Sequence, residues 1–154
     1  MRLVSSAFEP DQPIPQRYSG DGENVSPPLS WSDVPDGTKS LALICEDPDA
    51  PGGTFRHWAI YDIAPDRNEL PEAFPREQQG KDNIKQAVND FGRHGYGGPM
   101  PPKGHGVHRY RFRLFALDCE HLSLKPEASV RDVEQAAQAH ARAEADLTGT
   151  YERR

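Results

Sequence analysis

KSLALICE, residues 39–46, is the clearest buried strand of the chain. The run is short and almost wholly apolar, and turn-forming residues bound it, which is typical of a strand inside a packed core. Residues 47–53, with the sequence DPDAPGG, end it abruptly, because proline lacks a ladder N–H and fixes its own φ angle. Two further strands are predicted at 57–63 and 108–117, each next to a loop rich in proline or glycine.

The segment 129–147 is rich in alanine and contains neither proline nor glycine. Ser129 followed by Asp132 fits the start of a capped helix, and Gly149 fits a stop signal. Apolar side chains also recur along the segment at nearly helical spacing. We therefore predict one terminal helix over 129–147, with its buried face formed by Val130, Val133, Ala137, Ala141 and Ala145.

Strands separated by long breaker-rich loops, with one helix at the end, predict a mainly β fold. The specific prediction is an antiparallel two-sheet β-sandwich with long loops and a C-terminal helix, in one domain over residues 1–154. A Rossmann-type fold is excluded, because no helix of adequate length fits between the strands at 41–46 and 57–63.

Composition limits the classes of partner. The chain has 18 basic and 24 acidic residues and a formal net charge of −6, which argues against broad nucleic-acid binding. No apolar run approaches the roughly 18 residues of a membrane span, and residues 1–10 lack a signal-peptide core, so we expect a cytoplasmic protein. Cys45 and Cys119 lie in apolar runs and predict two buried free thiols rather than a disulfide.

Polar side chains stand where the predicted strands begin and end. Asp47 closes the first strand and Asp49 follows it, whereas His57 and His108 open the second and third strands. Such positions converge when they lie at one edge of a sandwich, and His108 shares a strand face with Tyr110. Taken singly, each histidine is typical of a structural role and each aspartate of a turn. Together they predict a polar site, with the two imidazoles about one anion's width apart.

Other chemistries have weaker signals. Two histidines and two aspartates are potential metal ligands, but metal-binding spacings such as HExxH or CxxC are absent, so we predict no metal and no cofactor. Gly95–Gly98 lacks the spacing of a phosphate-binding P-loop, and no GxSxG elbow supplies a nucleophile. The arginines at 109, 111 and 113 favour a solvated sheet face over an RNA platform. The remaining histidines are expected at the surface: His94, His105, His121 and His140.

Several motifs, taken in order, resemble those of one known family. Asp47–Pro51, His57 and the Gly104-x-Gly106-x-His108-Arg109-Tyr110 pattern look like the signature of the phosphatidylethanolamine-binding protein (Raf kinase inhibitor-like) family. The chain resembles the bacterial branch of this family more closely still, and the resemblance covers nearly the whole chain. Further motifs carry it: residues 24–31, 89–92, 95–99 and 149–151. Met100 stands where the bacterial branch often has cysteine, so a thiol in the pocket is not expected.

The resemblance implies two antiparallel sheets with Greek-key connections and a small anion-binding pocket at one end. It also implies a role in inhibiting a kinase or a protease, with no common catalytic reaction, and a homodimer. Aromatic residues expected in exposed, proline-bearing segments support the dimer: Phe8, Phe74 and Tyr151. The expected ligand is phosphate, sulfate, acetate or a phospho-head group. By motif position, the pocket would be lined by Asp47, Asp49, His57, Gly98, Pro102, His108 and Tyr110.

Two functional hypotheses follow. The leading one is a soluble binding or regulatory protein, not an enzyme, whose anion affinity rises as pH falls from about 8 to 6 through protonation of His57 and His108. The alternative is a hydrolase that uses an Asp–His pair of the same pocket as general base. The turn from Asp47 to Arg56 is further expected to contain at least one cis peptide bond.

Overall fold

The computed structural model describes the backbone of residues 1–154 and every side chain except that of Lys81. Within this range it contains eight strands, one α-helix and two short 3-10 turns, at Gln16–Tyr18 and Lys81–Asn83. The regular elements are β1 (Arg2–Val4), β2 (Leu29–Ser32), β3 (Ser40–Asp47), β4 (Phe55–Ile63), β5 (Glu69–Leu70), β6 (Lys85–Gln86), β7 (His108–Leu117), α1 (Val130–His140) and β8 (Ala141–Tyr151).

The strands form two antiparallel sheets, which confirms the predicted fold class. The larger sheet has the order β6-β4-β3-β7-β8 and the smaller one the order β1-β2-β5. One face of the larger sheet packs on the smaller sheet, and its other face packs on α1. Strand β3 lies at the centre of the larger sheet, so all eight of its residues are buried. This two-sided burial explains why its sequence is a continuous apolar run instead of an alternating one.

The predicted helix over 129–147 is too long. Ser129 caps α1 as expected, because its hydroxyl accepts the Asp132 N–H and the Asp132 carboxylate accepts the Ser129 N–H. The helix ends at His140, however, and the chain continues as β8, which pairs with β7 along its length. The segment 141–151 alternates small or apolar residues with charged or hydroxyl ones, a period of two that fits a strand. Pairing with β7 therefore overrides the helix propensity of alanine.

Gly149 is a strand residue of β8 and not a helix stop. A Cβ atom at this position would lie 2.6 Å from Ile14 Cγ1 and 2.7 Å from Phe8 Cε2. We expect Gly149→Ala to lower the free energy of unfolding by about 1–3 kcal/mol, because overpacking forces buried side chains to move. Urea denaturation measures this loss.

The matched control for this prediction is Gly52→Ala, since no heavy atom lies within 4 Å of a Cβ built there. Its effect on stability is expected to stay within about 0.5 kcal/mol. Equal urea midpoints for Gly149→Ala and Gly52→Ala would show that the contacts of Gly149 with Ile14 and Phe8 do not exclude an added methyl group.

Three further expectations need correction. No cis peptide occurs in the described chain; the turn after β3 reverses at Gly53 instead, with a φ of 106° and its N–H bonded to the Ala50 carbonyl. Phe8 and Phe74, expected to be exposed, are buried in the core between the sheets. Arg113 is not solvated but buried among carboxylates on three elements.

Both cysteines are free thiols, as predicted, although Cys119 is half-buried and only Cys45 is fully buried. Of the helices in the part of the chain that the structure describes, none is long and apolar enough to cross a membrane.

Candidate anion-binding cavity

A cavity of about 200 Å³ opens at one end of the larger sheet. Strand β3 runs antiparallel to both β4 and β7, so its last residue meets their first residues. This arrangement brings together the strand-end side chains that the sequence singled out. The cavity is lined by Asp47, Ala50, Pro51, Phe55, His57, Phe91, Met100, Pro101, Pro102, His108 and Tyr110.

Asp47 is a buried carboxylate held by two hydrogen bonds. His108 Nδ1 lies 2.6 Å from Asp47 Oδ2, and the Asp49 backbone N–H donates to Asp47 Oδ1 over 2.8 Å. Because the carboxylate accepts from His108 Nδ1–H, the tautomer of the imidazole is fixed and Nε2 is the nitrogen left for a second hydrogen bond. Asp47 therefore orients His108 at the cavity.

His105 is an exposed residue that the sequence did not connect with the site. Its Nδ1 lies 2.6 Å from His108 Nε2, which makes Asp47, His108 and His105 a continuous hydrogen-bonded row. One proton must lie between the two rings. The imidazole pair (His105 and His108) accommodates one further proton and keeps this hydrogen bond, whereas a second would set two N–H groups against each other.

His57 is buried, and its Nδ1 lies 2.7 Å from the Gly97 carbonyl oxygen. The carbonyl accepts, so Nδ1 carries the proton and a neutral ring presents Nε2 as an acceptor. Burial lowers the pKa of His57 from its usual range, although the Gly97 carbonyl and the Asp47 carboxylate oppose the shift. Burial therefore favours the neutral form of His57, which works against the expected protonation of this imidazole as pH falls from about 8 to 6.

Tyr110 lines the cavity and has a buried hydroxyl with no hydrogen-bond partner among the described residues. Burial and, after it, the nearby Asp47 carboxylate raise the pKa of Tyr110, so the hydroxyl keeps its proton and is available as a donor. Leaving such a group unpaired costs about 1–3 kcal/mol. A ligand oxygen in the cavity would remove that cost.

Two of the predicted lining residues do not face the cavity. The Asp49 carboxylate forms a bidentate ion pair with Arg109, which lowers its pKa to about 2. Gly98 is buried beneath the site, and its backbone N–H donates to Asn24 Oδ1 over 2.7 Å. Pro102 lies among the residues that line the cavity.

The apolar part of the cavity was also missed from the sequence. The rings of Phe55 and Phe91 contact His57, with centroid distances of 4.9 and 5.4 Å. Phe91 and Met100 are among the few exposed large hydrophobic side chains of the described residues, and both lie at the mouth. Their signal in the sequence is weak, because they stand alone in loops. Only the His105-x-x-His108 spacing was available as a clue to the imidazole pair.

The end of the two-sheet sandwich thus holds a small cavity with four polar side chains in a mostly apolar lining. Comparison with known proteins identifies the family. Residues 4–152 match the family model described as phosphatidylethanolamine-binding protein. The chain therefore belongs to the phosphatidylethanolamine-binding protein family, as the sequence motifs indicated.

Individual relatives resemble the chain over nearly its full length. A UPF0098 protein of Aquifex aeolicus is 50% identical over 153 residues, which cover 99% of this chain and 89% of that protein. The structure of Escherichia coli YbcL, described as a member of the mammalian PEBP family, matches with a TM-score of 0.93 and 34% identity, covering 99% and 98% of the two chains. The structure of CT736 from Chlamydia trachomatis, described as a homologue of the same family, matches with a TM-score of 0.86 and 39% identity, covering 99% and 97%.

Proposed function

We propose that this protein is a binding protein for a small phosphate-like anion, held in the cavity between Asp47, His57, His108 and Tyr110. The observation that carries the proposal is the buried Tyr110 hydroxyl, a donor without a partner beside two imidazoles. Binding pockets for larger ligands span about 300–1,000 Å³, so a cavity of about 200 Å³ favours a single small group. The family name refers to a phospholipid, whose head group carries a phosphate.

The donors and acceptors of the cavity favour a particular protonation state of the ligand. At pH 7 Tyr110 offers an O–H donor, whereas neutral His57 offers Nε2 as an acceptor. Hydrogen phosphate, or the monoanion of a phosphate monoester, carries both an anionic oxygen and a P–OH group and satisfies the two at once. Sulfate has no O–H, so near pH 7 it should bind more weakly than phosphate by up to about tenfold, the value of one hydrogen bond.

Charge explains why binding depends on pH. An anion in the cavity is repelled by the Asp47 carboxylate and attracted by a positively charged imidazole, so anion binding and proton uptake favour each other. The nearest exposed ion pair, Asp49 with Arg109, is neutral as a whole. His57 adds a second positive charge only at lower pH, because burial lowers its pKa.

We therefore expect sulfate affinity to rise as pH falls from 8 to 6, by up to about tenfold per pH unit for one proton taken up. Isothermal titration with sulfate measures this, since sulfate does not titrate in the range. His108→Gln should flatten the slope, and His57→Gln should change it mainly at the acid end. His121→Gln, an exposed histidine outside the cavity, is the matched control. A wild-type affinity independent of pH would contradict the role of the imidazole pair.

The hydrolase hypothesis has one observation in its favour, the 2.6 Å hydrogen bond between Asp47 and His108. His108 Nε2, the nitrogen that would act as general base, lies 2.6 Å from His105 Nδ1. This contact must open before the base reaches a substrate. Turnover of phosphoester, ester and peptide substrates by the wild type, abolished in His108→Ala, would establish a hydrolase in place of a binding protein.

A further candidate is a regulatory role that acts through a partner enzyme. Exposed Phe91 and Met100 lie at the cavity mouth and give this end of the molecule an apolar rim. We propose that a kinase or protease target would contact this rim, and that the protein acts in the cytoplasm as a homodimer. Inhibition that persists in His108→Gln would separate this role from anion binding. Light scattering after size exclusion tests the dimer.

A further inference from the structure

A second cluster of chemically active side chains lies at the other end of the larger sheet. Strand β7 begins at the cavity with His108 and ends at Leu117, about 30 Å away at the usual strand rise. Asp118 and Cys119 follow directly, and His140 at the end of α1 lies beside them. One ligand atom from each of the three residues lies within 4.8 Å of the other two.

The backbone holds these residues in place. The Asp118 N–H donates to the His140 carbonyl over 3.0 Å, and Ser40 Oγ donates to the Cys119 carbonyl over 2.6 Å. The pairing of β7 with β8 shifts register between Ala116 and Leu117, and such irregularities redirect the side chains that follow. The end of β7, the end of α1 and the start of β3 thus fix the cluster together.

We propose that Asp118, Cys119 and His140 form a binding site for a thiophilic divalent cation, with Zn²⁺ as the ion that fits the donor set best. Thiolate, imidazole and carboxylate are the three ligand types that zinc takes in proteins, at about 2.0–2.3 Å. Ligand atoms around a tetrahedral ion with such bonds are roughly 3.5 Å apart. Atoms already within 4.8 Å of one another need to move by about 1 Å. Three protein ligands leave a fourth position for water.

The electrostatic surroundings favour a cation. The carboxylates of Asp118 and Asp62 lie near the Cys119 thiol and give this corner of the molecule a negative potential. Asp118 Oδ1 already lies 2.8 Å from His140 Nδ1, which shows that the two side chains reach a common point. A divalent cation there would offset the acidic surroundings and stabilise the thiolate.

A nucleophilic role for the same residues is disfavoured. Cysteine, histidine and aspartate also form catalytic groups, in which the histidine is hydrogen-bonded to the thiol and activates it. Here the His140 imidazole is hydrogen-bonded to Asp118, and no hydrogen bond among the described residues joins it to the Cys119 thiol. The chemistry of the cluster is therefore that of a metal ligand set and not that of an activated thiol.

Titration of the purified protein with Co²⁺ tests this site, because a bound cobalt–thiolate group absorbs light through charge transfer. The wild type should develop this band and the absorption of tetrahedral cobalt, and Zn²⁺ should displace both. Cys119→Ser should remove the charge-transfer band, and His140→Gln should weaken binding by at least about tenfold, the effect found for changes even in the outer shell of a metal site.

His121→Gln is the matched control, because this exposed histidine lies near the cluster and is not a proposed ligand. It should leave the cobalt spectrum and the zinc affinity unchanged. Absence of the charge-transfer band in the wild type would overturn the proposal, and so would a band that persists in Cys119→Ser. Sulfate binding at the distant cavity is measured separately and should be unaffected by either variant.

Discussion

Replacement of Arg113 by leucine is expected to lower the free energy of unfolding by about 3 kcal/mol at pH 7. The guanidinium is buried and pairs with Glu46 on β3 at 3.2 Å, Glu134 on α1 at 2.7 Å and Glu144 on β8 at 3.0 Å. Leucine would leave the Glu46 carboxylate buried without its counter-charge and close to another carboxylate, that of Glu134. An unpaired buried charge is among the costliest single changes in a protein.

The loss should depend on pH in a defined direction. Burial raises the pKa of Glu46 even though Arg113 lowers it, and removal of the arginine raises it further. A carboxyl whose folded pKa lies above its unfolded value binds more protons in the folded state, so stability increases as pH falls through that folded pKa. The deficit of Arg113→Leu should therefore be smaller at pH 5 than at pH 8. Urea denaturation at the two pH values measures it.

Arg111→Leu is the matched control, because Arg111 lies on the same strand and pairs with Asp146 across to β8 at 2.8 Å. Both side chains of that pair are over 40% exposed, and exposed pairs contribute below about 1 kcal/mol. Similar losses of unfolding free energy for Arg113→Leu and Arg111→Leu would show that the buried ion pairs of Arg113 contribute no more to stability than an exposed pair.

The second large effect is expected in ligand binding. Tyr110→Phe removes the buried hydroxyl that we propose as a donor to the anion, and hydrogen bonds to charged groups are worth about 1.5–3 kcal/mol. We therefore expect anion affinity to fall by about 10- to 100-fold. Folding stability should stay equal or rise slightly, because the hydroxyl has no partner within the protein.

The chain offers a matched control for this change. Tyr61 also has a buried hydroxyl without a described partner, but it packs in the second core between the sheet and α1. Tyr61→Phe makes the same chemical change away from the cavity. It should leave anion affinity unchanged within about twofold and affect stability as little as Tyr110→Phe does.

The central strands were predictable because their local signals agree with their surroundings. The run at 39–46 has no polar interruption, since β3 is covered on both faces, and breakers bound it. The helix start was equally clear, because the hydrogen bonds of the Ser129 capping box lie within four residues. Elements whose hydrogen-bond partners lie within a few residues along the chain are therefore predictable from the sequence.

Strand β8 was not predictable in the same way. A spacing of four residues fits both a helix turn and a strand face, and Ala137, Ala141 and Ala145 satisfy both. The choice depends on β7, which supplies the hydrogen bonds and the cross-strand partners of the arginines. Such long-range pairing leaves no local signal that outweighs the helix propensity of alanine.

The same distinction between local and long-range signals applies to the residues of the candidate site. Asp47, His57, His108 and Tyr110 meet because strand order and direction bring their strand ends together. Asp49 and Gly98 occupy positions of the family motifs, but they do not face the cavity. The Asp49 carboxylate accepts from Arg109, and the Gly98 N–H donates to Asn24. The contact of His105 with His108, and the neutral state of His57, depend on distances and burial that a sequence does not contain.

Isothermal titration of sulfate at pH 6 into the wild type, Tyr110→Phe and Tyr61→Phe tests the anion-binding account most directly. We expect measurable binding by the wild type and by Tyr61→Phe, and an affinity lower by about 10- to 100-fold in Tyr110→Phe. Equal affinities for the wild type and Tyr110→Phe, or no binding by the wild type at millimolar sulfate, would contradict it.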